Sequence, residues 1–379
     1  MTSHSVRRVI ELALSVLLFT PAVSNAQSAA DTSLKVTIGG FIDGYYAYDF
    51  DRPPTIDRSF FGGALFTTQP ARHDEFNVNL AYVEANISGN RVHGRLALQA
   101  GTSVQDNYNS EPNIGIVSGP LLSRLLQEAY AGYQVAQNLW VDAGIFYSNA
   151  GLEGWVSKDN PTYTRSLVAD YSPYYSSGVR ATWQATPKLT ARFDLINGWQ
   201  NISETNSEKA LGLRLDYSAT PNLTLSYYNL FNDEVGDSLE AGTRLRIFNG
   251  VGAKYATSQL TLLGELDAGT LRPPSSGGST GDWWGFTAIA RQKVTGTVAV
   301  VGRVEVYRDP QQVNIVTGLS QPFRGYGGSL GIDVIPQPRV MWRTEGRGFV
   351  NDDAIFPDAH NPTPRKNDVF VVSSLSLAF

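Results

Sequence analysis

Arginines and carboxylates recur two residues apart along this chain: Arg192 with Asp194, Arg214 with Asp216, Arg303 with Glu305, and Arg343 with Glu345. Residues i and i+2 share a face only in an extended strand. Pairs of this kind suit a hydrated, salt-bridged wall better than a bond-making centre. Signals for catalysis are thin. The histidines beyond the N-terminal segment are His73, His93 and His360, and no Gly-x-Ser-x-Gly elbow stands out. A lipid hydrolase would need its nucleophile on the apolar face, whereas His93 falls on the polar one. Asp352, Asp353, Asp358 and His360 share one connection and offer donors for a divalent cation, but they read as a solvated acidic loop. We expect no enzyme, no metal and no cofactor.

The elements that carry these charges are strands. In Leu189–Leu195 the odd positions are Leu, Ala, Phe and Leu, and the even ones are Thr190, Arg192 and Asp194. The same alternation runs through Leu211–Tyr217, Leu223–Tyr227, Val298–Val306 and Val340–Gly346. Tight turns punctuate it. Ala185-Thr-Pro-Lys-Leu-Thr190 is nearly copied as Ala219-Thr-Pro-Asn-Leu-Thr224 and again as Ala256-Thr-Ser-Gln-Leu-Thr261, with looser versions at 88–91, 136–138, 294–296 and 336–338. Longer polar connections fall at 50–72, 107–122, 150–173, 199–207, 232–240, 270–282, 309–322 and 351–367. Seven turns and eight loops join sixteen strands. The parity of Phe76–Ile87 flips near Ala81-Tyr82, which predicts a β-bulge there, and the strand at 34–49 is ambiguous in facing.

Composition narrows the class. Arg7 and Arg8, the apolar run 9–20 and Ser24-Asn25-Ala26 form an export signal, so 1–26 is read as a removable leader and 27–379 as the working domain. The run is too short for the ~20 residues of a spanning helix. Removing Arg7, Arg8 and Glu11 from 30 basic and 35 acidic residues leaves 28 and 34, a net charge of −6. That balance argues against nucleic acid as a partner. There is no cysteine, so disulfides do not hold an exported fold together. The sequence therefore predicts an all-β transmembrane antiparallel up-and-down barrel, turns facing the periplasm and loops facing outside. A soluble β-sandwich would alternate too, but leaves the asymmetry of turns and loops unexplained.

In hydrocarbon only helices and closed barrels satisfy every backbone group, and sixteen strands enclose a lumen too wide for wall side chains to fill. The polar set then lines that lumen. On the basic side it holds Arg192, Arg214, Arg244, Arg246, Arg303, Arg343 and Arg347. The acidic side holds Glu128, Asp194, Asp216, Glu265, Glu305 and Glu345. The charges nearly balance, although Arg244, Arg246, Arg303, Arg343 and Arg347 form a ladder towards the loops that could set a transverse field. The third loop, 150–173, is the natural constriction. Its candidates are Glu153, Lys158, Asp159, Arg165 and Asp170. Trp183, Tyr217, Tyr255 and Phe379 should form an aromatic girdle at the turn side, and Tyr147, Trp199, Trp283 and Trp284 one at the loop side.

Phe41-Ile-Asp-Gly-Tyr-Tyr-Ala-Tyr-Asp-Phe-Asp-Arg-Pro53 and Arg72-His-Asp-Glu-Phe-Asn-Val-Asn-Leu-Ala81 resemble the opening of the OmpL-like family of outer-membrane β-barrel porins. Tyr163-Thr-Arg-Ser166 and Tyr174-Tyr-Ser-Ser-Gly-Val-Arg180 resemble it further on. The resemblance implies a porin-like barrel and brings no defined substrate or binding residues. The expected partners are outer-membrane lipid and lipopolysaccharide, the barrel assembly machinery through the terminal Phe379, and small hydrophilic solutes; a homo-oligomer is compatible. The expected function is passive diffusion through a Gram-negative outer membrane. The alternatives are a channel specific for a sugar, peptide or aromatic solute, and a barrel that displays its loops for adhesion or partner binding.

Overall fold

A computed structural model describes residues 33–53, 55–233, 244–272, 280–358 and 360–379; the leader expected at 1–26 lies outside them. The first eight strands are β1 Lys35–Asp49, β2 Phe76–Ser88, β3 Val92–Ala100, β4 Leu126–Ala136, β5 Leu139–Tyr147, β6 Tyr175–Thr186, β7 Leu189–Ile196 and β8 Ala210–Thr220. The second eight are β9 Leu223–Asp233, β10 Leu245–Ala256, β11 Leu260–Leu271, β12 Gly281–Lys293, β13 Val298–Asp309, β14 Phe323–Gln337, β15 Val340–Asn351 and β16 Asn367–Ala378. Each pairs antiparallel with its sequence neighbours, and β1 pairs with β16, so the sheet is a closed barrel without edges. Among the described residues turns and loops alternate as the sequence predicts; most of the loops expected at 232–240 and 270–282 lies outside them.

The β1–β16 seam runs from Phe41 opposite Ala378 to Asp49 opposite Phe370, and the last residue extends it. Phe379 accepts from Gly40 N and donates to Gly40 O, both at 3.0 Å. Gly40 is required by this approach, because a Cβ there would lie 2.3 Å from the Phe379 ring and 2.8 Å from the Tyr82 carbonyl. The bulge sits two residues earlier than the sequence placed it. Asp43 pairs with Leu80 and Gly44 with Val78, leaving Asn79 as the extra residue. Leu80 consequently turns inward and is fully buried, while Phe76 and Val78 remain exposed. A pattern of apolar residues marks a change of phase but not the residue that absorbs it.

The outer face is apolar. Val304, Leu330, Trp342, Val350 and Leu375 project from it, well exposed. At the turn side Trp183, Tyr217 and Phe379 face outward, with Tyr255 half-buried on the same face of β10. The loop-side girdle differs from expectation. Trp284 faces out, but Trp283 is buried inside and packs edge-on against Trp199, and Tyr147 packs against the inner cluster around Phe41 and Tyr82. The aromatic rim there includes Tyr46 against Phe76 and Tyr48 against Phe50. Neighbouring residues of one strand point to opposite sides, so only one of Trp283 and Trp284 could meet lipid.

Candidate pore and constriction

The segment between β5 and β6 lies inside the barrel. It contains a 3-10 turn, Ser157–Asp159, and a short helix. Two helical turns of the β3–β4 connection precede it in the chain, so we number them α1 (Thr102–Asn107) and α2 (Pro120–Ser123), and the helix of the inserted segment α3 (Leu167–Asp170). The wall holds the segment from several sides. Arg214 donates to Asn149 O and Gly151 O at 2.8 and 2.7 Å, and Leu152 N donates to Glu265 at 3.0 Å. Ser157 donates to Asp43 at 3.0 Å, and the Trp155 indole donates to Gln99 at 3.0 Å. These contacts reach β1, β3, β8 and β11, so the segment crosses the lumen.

The firmest grip comes from the late strands. Arg343 donates to four carbonyl oxygens, those of Ser157, Asn160, Pro161 and Thr162, at 2.6–3.1 Å, and to Asp333 at 2.8 Å. Arg303 donates to Thr164 O at 2.9 Å, to its hydroxyl at 2.6 Å and to Glu345 at 3.0 Å. Glu305 accepts from Leu167 N at 2.6 Å and from Arg347 at 2.8 Å. Arg303, Arg343 and Arg347 are buried. The ladder inferred from sequence is therefore not one open face. Its three members on β13 and β15 are spent as clamps on loop carbonyls and paired carboxylates, which strand alternation alone does not reveal.

Within the segment the five candidates separate. Glu153 is buried and accepts from Ser166 N at 3.1 Å and from the Ser166 hydroxyl; burial pushes its carboxyl up, opposed by Arg303. Arg165 is buried and donates to the carbonyls of Trp155 and Tyr163. Lys158 and Asp159 pair with each other at 2.9 Å, and the Asp159 side chain is half exposed. Asp170 accepts from Thr68 and Tyr174 at 2.7 and 3.0 Å, and burial raises it.

The remaining wall charges pair across strands. Arg192 meets Asp216, Arg180 meets Asp194 at 2.7 Å, and Arg95 bridges Glu84 and Glu128, while Arg214 meets Asp216 along its own strand. Glu265 and Asp267 share the Tyr228 hydroxyl, at 2.5 Å each. Where such a pair is fully buried it gains little net stability while intact, but losing one partner costs about 3–5 kcal/mol. The acidic loop weighed as a cation site is turned towards arginines: Asp352 meets Arg308 at 2.7 Å and Asp358 lies 3.8 Å from Arg365.

A second plug was not foreseen. Part of the β1–β2 connection folds inward, and Phe60 and Phe66 pack with Phe323, Phe349 and Phe356 into one aromatic cluster. Arg58 is buried beside it, bonded to Asp49 and Asp368 at 3.1 and 2.6 Å. The β13–β14 connection packs on this plug, where Gly62 and Gly318 approach too closely for any side chain. Phe60, Phe61 and Phe66 in an otherwise polar loop were the available signal.

Between these plugs a cavity of about 450 Å³ persists, lined among others by Thr68, Asp106, Asn107, Asp170, Trp199 and Arg246. Arg246 lies 4.4 Å from the Trp199 ring centre and donates to Asn314 at 2.9 Å. Arg244 borders a neighbouring cavity with Arg246 and Gln311. Contrary to expectation, one string, Gly327-Gly-Ser-Leu-Gly331, matches the nucleophile-elbow pattern. It lies within β14, with Ser329 paired to Arg303 and Arg347 across the sheet, and lacks the strand-to-helix turn that an elbow needs.

A closed sixteen-stranded barrel with an apolar exterior, a charged interior and a loop drawn across its lumen is the architecture of an outer-membrane porin. The chain belongs to the family described as "Putative beta-barrel porin-2, OmpL-like", whose model matches residues 35–379. No curated protein matches its sequence. Among solved structures it resembles the anion-selective porin from Comamonas acidovorans, with a TM-score of 0.58 at 11% identity over 92% of this chain and 100% of that one. It also resembles OmpF of Salmonella typhi in complex with daunomycin, at 0.57 and 12% over 91% and 98%. OmpT of Vibrio cholerae follows at 0.55 and 10%, over 93% and 99%. At these identities the likeness is one of fold.

Proposed function

We propose that this outer-membrane porin passes small hydrophilic solutes by diffusion, with the β5–β6 segment as its constriction, and that it performs no catalysis. The observation that carries this reading is the segment's position: it is tied across the lumen by Arg343, Arg303 and Glu345, beside a polar cavity that receives loops from the outer end. A rigid constriction discriminates by size and charge because its groups need not reorganise for each solute. Lys158, Asp159 and Asp170 are the loop charges in this role, and Arg192, Arg214, Asp216, Arg244 and Arg246 the wall charges. Export with removal of residues 1–26, insertion guided by Phe379 and contact with lipopolysaccharide belong to the same reading.

Single-channel conductance of refolded protein beginning at Gln27 tests it. Stable open steps with a defined reversal potential are expected. A folded, heat-modifiable barrel that never conducts would sink the proposal in favour of a closed barrel that displays its loops. A solute-specific channel is the second reading, favoured by how much of the lumen the two plugs fill.

A further inference from the structure

On the outer face, two arginines stand directly opposite one another at the loop ends of adjacent strands: Arg308 on β13 pairs in register with Arg324 on β14. Side chains so placed start about 5 Å apart, and like charges there repel. A carboxylate relieves only one of them. Asp352, just beyond β15, accepts from Arg308 at 2.7 Å, whereas the Arg324 guanidinium is exposed and bonds to nothing among the described residues. Lys366, just before β16, is exposed too and donates to the Asp352 carbonyl at 2.6 Å. Asp282 borders the group from β12. The depth of the group is set by aromatic residues. Arg308 lies 4.6 Å from the centre of the Tyr326 ring and donates to its hydroxyl, and Trp284 stands opposite it on β12. Tyr326 and Trp284 both project outward. Aromatic side chains in such a girdle lie at the level of the lipid headgroups, so a guanidinium held by the Tyr326 hydroxyl reaches that level. Arg52 repeats the arrangement at the end of β1, donating to the Tyr48 hydroxyl at 2.7 Å, with Asp74 the carboxylate that acts on it.

From this arrangement, and resting on the outer-membrane reading above, we infer that Arg308, Arg324 and Lys366 form a binding site for a lipid phosphate of the outer leaflet, and that its occupant is lipid A, the phosphorylated glycolipid anchor of lipopolysaccharide. A phosphate between the two guanidinium groups turns their repulsion into a shared grip, because each presents paired N–H donors to its oxygens. Lys366 adds a third positive charge. Within the group three cations face the single carboxylate of Asp352. That excess suits the roughly two negative charges of a phosphomonoester better than the single charge of a phospholipid diester. The acyl chains then run down the apolar face past Val304 and Leu330, which project into the bilayer below the arginines.

Native mass spectrometry of the detergent-solubilised, refolded barrel, titrated in turn with lipid A, dephosphorylated lipid A and phosphatidylglycerol, tests the site. Lipid A should bind about tenfold more tightly than either of the others, the scale of one charge-assisted hydrogen bond. In the double variant Arg308→Gln/Arg324→Gln its advantage over the dephosphorylated form should vanish, whereas in Lys188→Gln, at the turn end of the barrel, it should persist. Equal binding of lipid A and its dephosphorylated form, or an unchanged advantage in a folded double variant, overturns the site. Phosphatidylglycerol held as tightly as lipid A, or lipid A fully displaced by equimolar inorganic phosphate, overturns the choice of occupant. The lipid comparison uses unaltered protein, so a variant that fails to fold leaves it decisive. Conductance in potassium chloride is read on the same preparation. A conducting barrel indifferent to the phosphates overturns the site and leaves the porin reading, whereas a non-conducting barrel that prefers lipid A does the reverse.

Discussion

Thr164 and Glu345, 181 residues apart, meet inside the barrel: the Thr164 backbone N and its hydroxyl each donate to the Glu345 carboxylate at 2.8 Å. The same carboxylate receives Arg303 at 3.0 Å. One side chain on β15 thus fixes the inserted segment and neutralises the arginine that grips it from β13. Glu345→Ala removes an acceptor from three donors and leaves Arg303 with Glu305 alone among its carboxylate partners. We expect a loss of about 3–5 kcal/mol in unfolding free energy, read by urea titration of folded barrel in detergent. Single channels of the variant should be noisier, because the segment loses its central tether.

The titration of Asp106 gives a pH dependence with a definite sign. Burial, reinforced by the carboxylates of Asp170 and Asp57, pushes this group on α1 up to about 7. The charged residues that share its cavity are Asp170 on α3 and Arg246 on β10. Below that value Asp106 is neutral, and above it the cavity gains a negative charge. Preference for potassium over chloride should therefore rise between pH 6 and pH 8, measured as a reversal potential across a salt gradient. Asp106→Asn should flatten that rise; a rise that persists in the variant would assign it to another group.

Depth in the membrane should grade the tolerance of the outer face. Leu330 stands in the middle of β14 and is highly exposed. Leu330→Arg places a charge in hydrocarbon and should cost about 2–4 kcal/mol, whereas Tyr326→Arg, nearer the loop end, should cost roughly 1 kcal/mol or less. Folding titrations into vesicles measure both, and equal costs would argue against this placement of the barrel in the bilayer.

The seam between the first and last strands should be sensitive at Gly40. Gly40→Val forces the Phe379 ring away and crowds the Tyr82 carbonyl, at the position where two backbone hydrogen bonds close the sheet. The expected result is a fall in the folded, heat-modifiable fraction on gels after refolding. Gly264→Ala, where a Cβ would meet nothing within 4 Å, should refold like the parent.

How much of this was written in the chain can be judged residue by residue. Arg192, Asp194, Arg214 and Asp216 were assigned inward by alternation, and the structure pairs them across the wall. A strand has only two faces, and lipid claims one of them, so local pattern settles the matter. The turn copies at 185–190, 219–224 and 256–261 likewise set strand number and order. The barrel and its handover from turn to loop follow from short-range information. The interior does not. By alternation Arg343, Arg303 and Arg347 form a ladder facing water, yet Arg343 and Arg303 hold a segment more than 130 residues distant in sequence, and Arg347 pairs with Glu305. The fate of Trp283, the aromatic plug around Phe66 and the setting of Asp106 beside Asp170 were equally hidden. Alternation reports which side of the sheet a residue occupies. What occupies the space it points into depends on which loop folds back and which carbonyls that loop presents, and only the closed barrel brings those groups together.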